Sequence, residues 1–395
     1  MRILVLSFYY APDLSAGSFR TKALIKALLE KNLDCLCIDV MTTLPNRYKT
    51  FNTEALEYEH SDNVEIHRIK LPSHQSGMID QSLAFAHFLK SINVLVSRRE
   101  YDLVYATSSR LMTAVLGAWI ASRKKALLYL DIRDIFVDTI NDVLVKKIAL
   151  FTKPIFSLLE RWAINKANKV NLVSEGFRSY FESRYPEQSF SYFTNGIDDE
   201  FIEVGQRKLN KESGDKPITV LFAGNIGEGQ GLHTIIPELA KRMQNRAQFM
   251  IIGDGGRKLE LQASINLVGC NNVELLDPVN RMELIEVYLE ADVLFLHLND
   301  YAAFHKVLPS KLFEYAALGK PIWAGVSGYA AEFVKSEIGN AAVFAPCNVT
   351  EAIDTFDSLE LKDSVRTRFI SKFARKNIMS LMVDDMLSIK NQNNL

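Results

Sequence analysis

The stretch 218–243, ITVLFAGNIGEGQGLHTIIPELAKRM, decides the fold class. An apolar run of strand length leads into Gly224, Gly227, Gly229 and Gly231, and these are followed by a helical run, LHTIIPELAKRM. Strand, glycine loop and helix in that order open a βαβ unit. The glycines are more than a turn requires and let backbone approach a ligand, while Asn225 and Gln230 offer neutral hydrogen bonds.

The same alternation continues on both sides. Downstream come AQFMIIGDGG, RKLELQASINL, VELLD, RMELIEVYLEA, DVLFLHL, PSKLFEYAALGK and PIWAGV; upstream come ILVLSF, FRTKALIKALLEK, CLCIDV, VEIHRIKL, DQSLAFAHFLKSINVLVSRR, DLVYAT, LMTAVLGAWIASR and ALLYLDI. Alternation of this kind specifies parallel sheets wrapped by helices, so the class is α/β. A chain of 395 residues exceeds one comfortable core, which predicts two tandem doubly wound domains with a cleft at the carboxyl ends of their sheets. The polar segment 205–217, GQRKLNKESGDKP, reads as a surface loop soon after an interdomain linker, giving domains at 1–200 and 201–375. The C-terminal helical stretch is too long for a simple cap, and residues 376–395 can return to complete the first domain.

Lys plus Arg number 46 against 47 Asp plus Glu, so no global field attracts nucleic acid. The first apolar run is too short for a signal peptide's core, and no stretch reaches the length of a membrane span, so the expected compartment is cytoplasmic. Four cysteines without a C-x-x-C pair or a matching His cluster argue against a structural metal site. Cys35 and Cys37 are expected on one face of a strand, packed as small hydrophobes.

Loops that follow the strands of a parallel sheet collect chemistry. In YYAPDLSAGSFR, Gly17 precedes a helix expected to begin near Ser18; it either admits an anion to the helix N-terminus or is a turn glycine beside a Ser cap. In YLDIRDIFVD, Asp131, Arg133, Asp134 and Asp138 surround the end of a buried strand. They read as a proton acceptor with an orienting cation, Asp134 foremost, or as a structural ion-pair cluster. Asp254 closes another strand in IIGDGG. In PSKLFEYAALGKPI, Lys311 and Glu314 lie three apart in an otherwise apolar helix, behind Pro309 and Ser310. They either pair with each other or serve the two ends of one ligand, phosphate at the helix start and hydroxyls one turn deeper. Neither G-x-G-x-x-G nor a P-loop is present.

Taken in order, YYAPDLSAGSFR, VSEGF, NGID, FAGNIGEGQGL, IIGDG, LLDPV and PSKLFEYAALGKPI resemble the family-4 glycosyltransferases of the GT-B fold, and nearly the whole chain is covered. The variant looks most like bacterial enzymes that add amino sugars in O-antigen, capsule or lipid-linked oligosaccharide assembly. The resemblance implies two Rossmann-like domains and a retaining transfer from a nucleotide-sugar donor, UDP-sugar favoured, to a lipid-linked or oligosaccharide acceptor, without a metal or other cofactor. It assigns Glu314 to the donor ribose and Ser310 and Lys311 to diphosphate and sugar. Gly17 falls to the loop closing on the diphosphate, and Asp254 to the base. Lys306 stands where the family's E-x7-E element has its first glutamate, and Asn225 and Gln230 stand where it usually has Arg and Lys. Lys306 and Lys311 could compensate by neutralising phosphate. No catalytic-domain histidine is visible in LDIRDIF, which leaves Asp134 or Arg133 to activate or position the acceptor. The pairs Asp198–Asp199 and Asp384–Asp385 read as solvated loop and helix faces, not as metal sites. A nucleotide-sugar epimerase and a non-catalytic binding subunit remain as alternative readings. Finally, residues 145–169 mix Lys146, Lys147, Lys153, Arg161, Lys166 and Lys169 with Phe151, Ile155, Phe156, Leu158, Leu159 and Trp162. That pattern suits either a core helix with a basic outer side or, with a lipid-linked acceptor, peripheral contact with the cytoplasmic face of a membrane.

Overall fold

The computed structural model describes residues 1–46, 54–61, 63–72, 78–108, 110–137, 146–205 and 217–392. Asp138 and nearly all of the expected loop at 205–217 lie outside the described residues, as do the side chains of 146–151. The chain divides into two compact units, Met1–Asn195 with Lys376–Leu395, and Gly196–Arg375. Both are α/β, each built on one mostly parallel sheet.

In the first unit the strands are β1 (Arg2–Leu6), β2 (Cys37–Thr43), β3 (Tyr58–Ser61), β4 (Val64–Ile69), β5 (Leu103–Thr107), β6 (Leu127–Ile132), β7 (Lys169–Leu172) and β8 (Phe190–Ser191). Their order is β3-β4-β2-β1-β5-β6-β7-β8. All pairs are parallel except the edge hairpin β3–β4. In the second unit, β9 (Ile218–Asn225), β10 (Ala247–Asp254), β11 (Val273–Leu276), β12 (Val293–His297), β13 (Ile322–Gly325) and β14 (Ala341–Phe344) run parallel in the order β11-β10-β9-β12-β13-β14. That is the Rossmann order, in which the first and fourth strands of the unit are neighbours and their outgoing loops diverge to opposite faces. Ligands bind at such a switch point, here the ends of β9 and β12.

The central strands read as continuous apolar runs because helices cover both faces. Every residue of β5, β12 and β13 is buried. In the second unit the core gathers Phe222, Phe249, Phe295, Trp323 and Phe356. Burying each such large side chain contributes about 1.5–3 kcal/mol. Trp323 also satisfies its indole N–H on the Ala352 carbonyl at 3.1 Å.

Several expectations change. Cys35 and Cys37 are both exposed: β2 starts only at Cys37, Cys35 precedes it with a φ of 52°, and the buried side chain between them is Leu36. The acidic pairs are not simply solvated. Asp198 joins Arg375, whose Nε lies 2.5 Å from Oδ1, to Arg281 within the second unit. Asp385 accepts from Ser191 Oγ at 2.6 Å and Tyr129 Oη at 2.9 Å and pairs with Lys169, which fastens the helix Arg375–Gln392 to the first unit's sheet. Among the described residues no helix is long and apolar enough to cross a membrane.

Candidate functional site

The second unit's site grows from the end of β9. Gly224 and Gly253 lie side by side on β9 and β10 with φ of 146° and 156°. Both need glycine. A Cβ on Gly253 would overlap the Gly224 carbonyl, and one on Gly224 would stand 2.6 Å from Lys311 Cε and against its ammonium. The Lys311 amine therefore rests on the bare backbone at the mouth of β9, 5.5 Å from the centroid of Phe222. Lys311 is the first residue of the helix Lys311–Ala317, with Ser310 before it. Ser310 has helical backbone angles and makes no side-chain cap, while the Leu312 and Phe313 N–H groups donate to the Pro309 and Ser310 carbonyls at 3.2 and 3.1 Å.

One turn deeper on the same helix, Glu314 is half-buried. Burial pushes its carboxyl above the ordinary glutamate value, while the charges of Arg281 and Lys311 pull the other way. The Asp198–Arg281–Arg375 cluster thus forms the electrostatic floor beneath Glu314.

Beyond β9, Asn225 Nδ2 donates to Gln230 Oε1 at 2.7 Å, closing the glycine loop across Gly227, where a Cβ would run into the Asn225 amide. The two side chains brace each other. Asp254, paired in register with Asn225, accepts from the Gly255 N–H at 2.8 Å. Lys306 ends a short turn, Phe304–Lys306, in the connection between β12 and the Lys311 helix.

In the first unit the helix after β1 begins at Ala16, earlier than expected, and its cap is Ser15, whose Oγ accepts from Ser18 N at 3.1 Å. Gly17 is consequently buried in the first helical turn, not in a turn before it. Asp131 belongs to β6 and is structural: its carboxylate binds Arg20 at 2.9 and 3.0 Å, Tyr105 Oη at 2.8 Å and Asn171 Nδ2 at 2.8 Å. Just past the strand, Arg133 donates its backbone N–H to Ser108 Oγ at 3.1 Å, and its Nη1 is buried with no hydrogen-bond partner among the described residues. Burial pushes the Arg133 guanidinium below its usual value, against the pull of Asp131. Asp134 is exposed beside it.

A loop that offers backbone, a cation over a glycine, and a carboxylate one turn away are parts suited to a phosphate with a hydroxylated group attached. Residues 206–376 match the family model described as glycosyl transferases group 1. WcaI of Escherichia coli (strain K12), named as a glycosyl transferase of colanic acid biosynthesis, is 23% identical over 340 residues, 81% of this chain and 82% of its own. Among solved structures, sucrose-phosphate synthase of Thermosynechococcus elongatus superposes with a TM-score of 0.77 at 14% identity, over 99% of this chain and 100% of its own. Anabaena HepE in complex with UDP gives 0.63 at 17%, over 98% and 100%. These two likenesses concern the fold. The chain resembles the GT-B glycosyltransferases of bacterial surface-polysaccharide synthesis.

Within the matched segment the structure brings Lys311, Gly224, Asn225, Gly227 and Gln230 to one strand end, with Glu314 a turn below. Sequence reasoning missed the residues that hold this arrangement. His297 is buried at the end of β12, and burial pushes its imidazole down to about 4, so it is neutral. Glu228 accepts from Arg257 Nε at 2.5 Å and from Tyr301 Oη. Burial alone would raise the Glu228 carboxyl, but these donors and the Arg257 charge outweigh it and leave it below the glutamate range. A lone histidine in the apolar run DVLFLHL was the available signal, since a polar residue in a buried strand needs partners.

Proposed function

We propose that the protein is a retaining glycosyltransferase that moves a sugar, an amino sugar in our reading, from a UDP-sugar to a lipid-linked or saccharide acceptor during cell-surface polysaccharide synthesis. The observation that carries this reading is the Lys311 ammonium lying on bare Gly224 backbone at the switch point of the second unit, with Glu314 one turn behind it. In the proposed reaction the acceptor oxygen bonds to the anomeric carbon on the face from which the nucleoside diphosphate departs. Lys311 and loop N–H groups take up the charge that develops on the leaving phosphate, so these groups can act without a metal. Glu314 accepts hydrogen bonds from the donor ribose. Asp134 receives the acceptor's proton and Arg133 orients the acceptor.

Isothermal titration with UDP and UDP-sugars tests the donor half. Wild-type protein should bind, and Glu314→Gln should weaken binding by about tenfold, the loss of one hydrogen bond to a charged acceptor. Equal affinity in the two proteins would remove Glu314 from the site, and no binding of any UDP ligand would remove the UDP reading.

The helix Lys146–Lys166 supports peripheral membrane contact. Its inner side is anchored by the buried Glu160, which accepts from Tyr180 Oη at 3.0 Å and Tyr185 Oη at 2.9 Å. Its outer side leaves Ile155, Leu158 and Trp162 59%, 67% and 36% exposed, among the exposed Lys153, Arg161 and Lys166. Apolar side chains ringed by cations match an anionic bilayer surface. Co-sedimentation should show pelleting with phosphatidylglycerol vesicles, little with phosphatidylcholine, and a marked loss in Ile155→Ser/Leu158→Ser. Absence of pelleting with the anionic vesicles would overturn the assignment.

A further inference from the structure

The end of β12 grips the glycine loop through three successive carbonyls. Asn299 Nδ2 donates to the Glu228 carbonyl at 3.1 Å, the Asn299 backbone N–H to the Gly229 carbonyl at 2.8 Å, and His297 Nδ1 to the Gln230 carbonyl at 2.7 Å. The other face of the imidazole is fixed too. Cys347 N–H, just past β14, donates to His297 Nε2 at 2.9 Å. A carbonyl can only accept and an amide N–H can only donate, so the ring carries its proton on Nδ1. The ring lies nearly parallel to Phe295 and is stacked on Phe344, with centroids 6.2 and 6.1 Å away. Gly325 leaves the space that the ring edge fills. Asn299 is buried, and its side chain packs against Gly231, whose φ of 59° turns the chain into the helix Leu232–Arg242.

Because the peptide unit is planar and trans, a carbonyl turned toward β12 sends the N–H of the next residue the opposite way. Binding the Glu228 carbonyl therefore faces the Gly229 N–H away from Asn299. The turn's own bonds, Gln230 N–H to the Gly227 carbonyl and Gly231 N–H to the Glu228 carbonyl, fix its local shape, and the bonds from β12 fix its orientation against the sheet.

We propose that His297 and Asn299 are the positioning residues of the Gly227–Gly231 loop, setting its carbonyls against β12 so that the Gly229 N–H is presented to the diphosphate of the donor. This assignment rests on the reading of the loop as part of a nucleotide-sugar site. It places the control of donor affinity in residues that do not touch the donor.

Four variants separate this role from mere packing. His297→Phe keeps the stacked ring and loses both hydrogen bonds. His297→Asn restores a donor near the Nδ1 position, and His297→Gln restores an acceptor near Nε2. Asn299→Ala releases the Glu228 carbonyl. The readouts are amide hydrogen exchange at residues 227–231 in ligand-free protein, UDP affinity by titration, and donor KM against kcat. In His297→Phe and Asn299→Ala, loop exchange should quicken by about tenfold or more. UDP affinity and donor KM should weaken by a similar factor, with kcat at saturating donor within about threefold of wild type. His297→Asn should stay closer to wild type than His297→Gln in both exchange and affinity. The proposal is overturned if loop exchange and UDP affinity are unchanged in folded His297→Phe and Asn299→Ala, or if the asparagine variant is as impaired as the phenylalanine one. Should His297→Phe not fold, Asn299→Ala decides. Should wild-type protein not bind UDP, the donor reading fails, and the exchange measurement still decides whether the clamp exists.

Discussion

Lys311→Ala is expected to lower kcat by about 100- to 1,000-fold, the loss typical of removing one preorganised group that stabilises charge developing in a transition state. The amine lies against backbone at the end of β9, where the proposed leaving phosphate gains charge and no side chain from Gly224 can intervene. A group needed mainly in the transition state reduces kcat and kcat/KM together when removed, whereas one that binds donor and transition state equally raises KM alone. Steady-state kinetics with the donor varied at saturating acceptor make the distinction. An unchanged kcat with a raised donor KM would demote Lys311 to a binding residue, and thermal denaturation of the variant controls for folding. Gly224→Ala should mimic the loss, since its Cβ would occupy the ammonium's position in a backbone conformation that disfavours alanine.

Arg20→Ala is expected to destabilise the protein by about 3–5 kcal/mol, because it strands a buried carboxylate. Arg20 and Asp131 are both 0% exposed and meet through two hydrogen bonds. Burial pushes the Asp131 carboxyl up, but the charge and hydrogen bonds of Arg20 overcome this and hold it below the usual carboxylate range. The same guanidinium also donates to the carbonyls of Phe193 and Thr194 at 2.8 and 2.6 Å. Arg20 thereby ties the first helix, β6 and the last segment before Gly196 into one unit. Chemical denaturation near pH 7 measures the effect. The double variant Arg20→Met/Asp131→Leu should recover part of the loss, because the stranded carboxylate is gone, while Arg133, Tyr105 and Asn171 lose the same partner. A single-variant cost below about 1 kcal/mol would show that the pair contributes no more than an exposed one.

Much of the candidate site was legible in the sequence because glycine, lysine and glutamate at strand ends announce themselves locally. FAGNIGEGQG marks a loop that only glycine can build, and PSKLFEYAALG places two charges in an apolar helix. What each residue does there was less legible. Asn225 and Gln230 were read as groups offered to a ligand, yet they bond each other across Gly227. Asp198 and Asp385 were read as solvated, yet each anchors a charged cluster assembled from distant segments. The C-terminal helix shows the same limit: its length was evident, but its attachment depends on Tyr129, Lys169 and Ser191, far away in the chain.

The sequence by itself determined the α/β class, the place of the glycine loop and the chemical types available at the strand ends, because hydrophobic period and glycine content act over a few residues. Only the tertiary structure decided that Lys311 lies on Gly224, that Arg20 neutralises Asp131, and that His297 and Asn299 orient three loop carbonyls. The physical reason is strand order. The second unit's sheet sets β12 beside β9 although residues 226–292, with two strands and three helices' worth of chain, separate them in sequence, and contacts of this kind form only when the sheet closes.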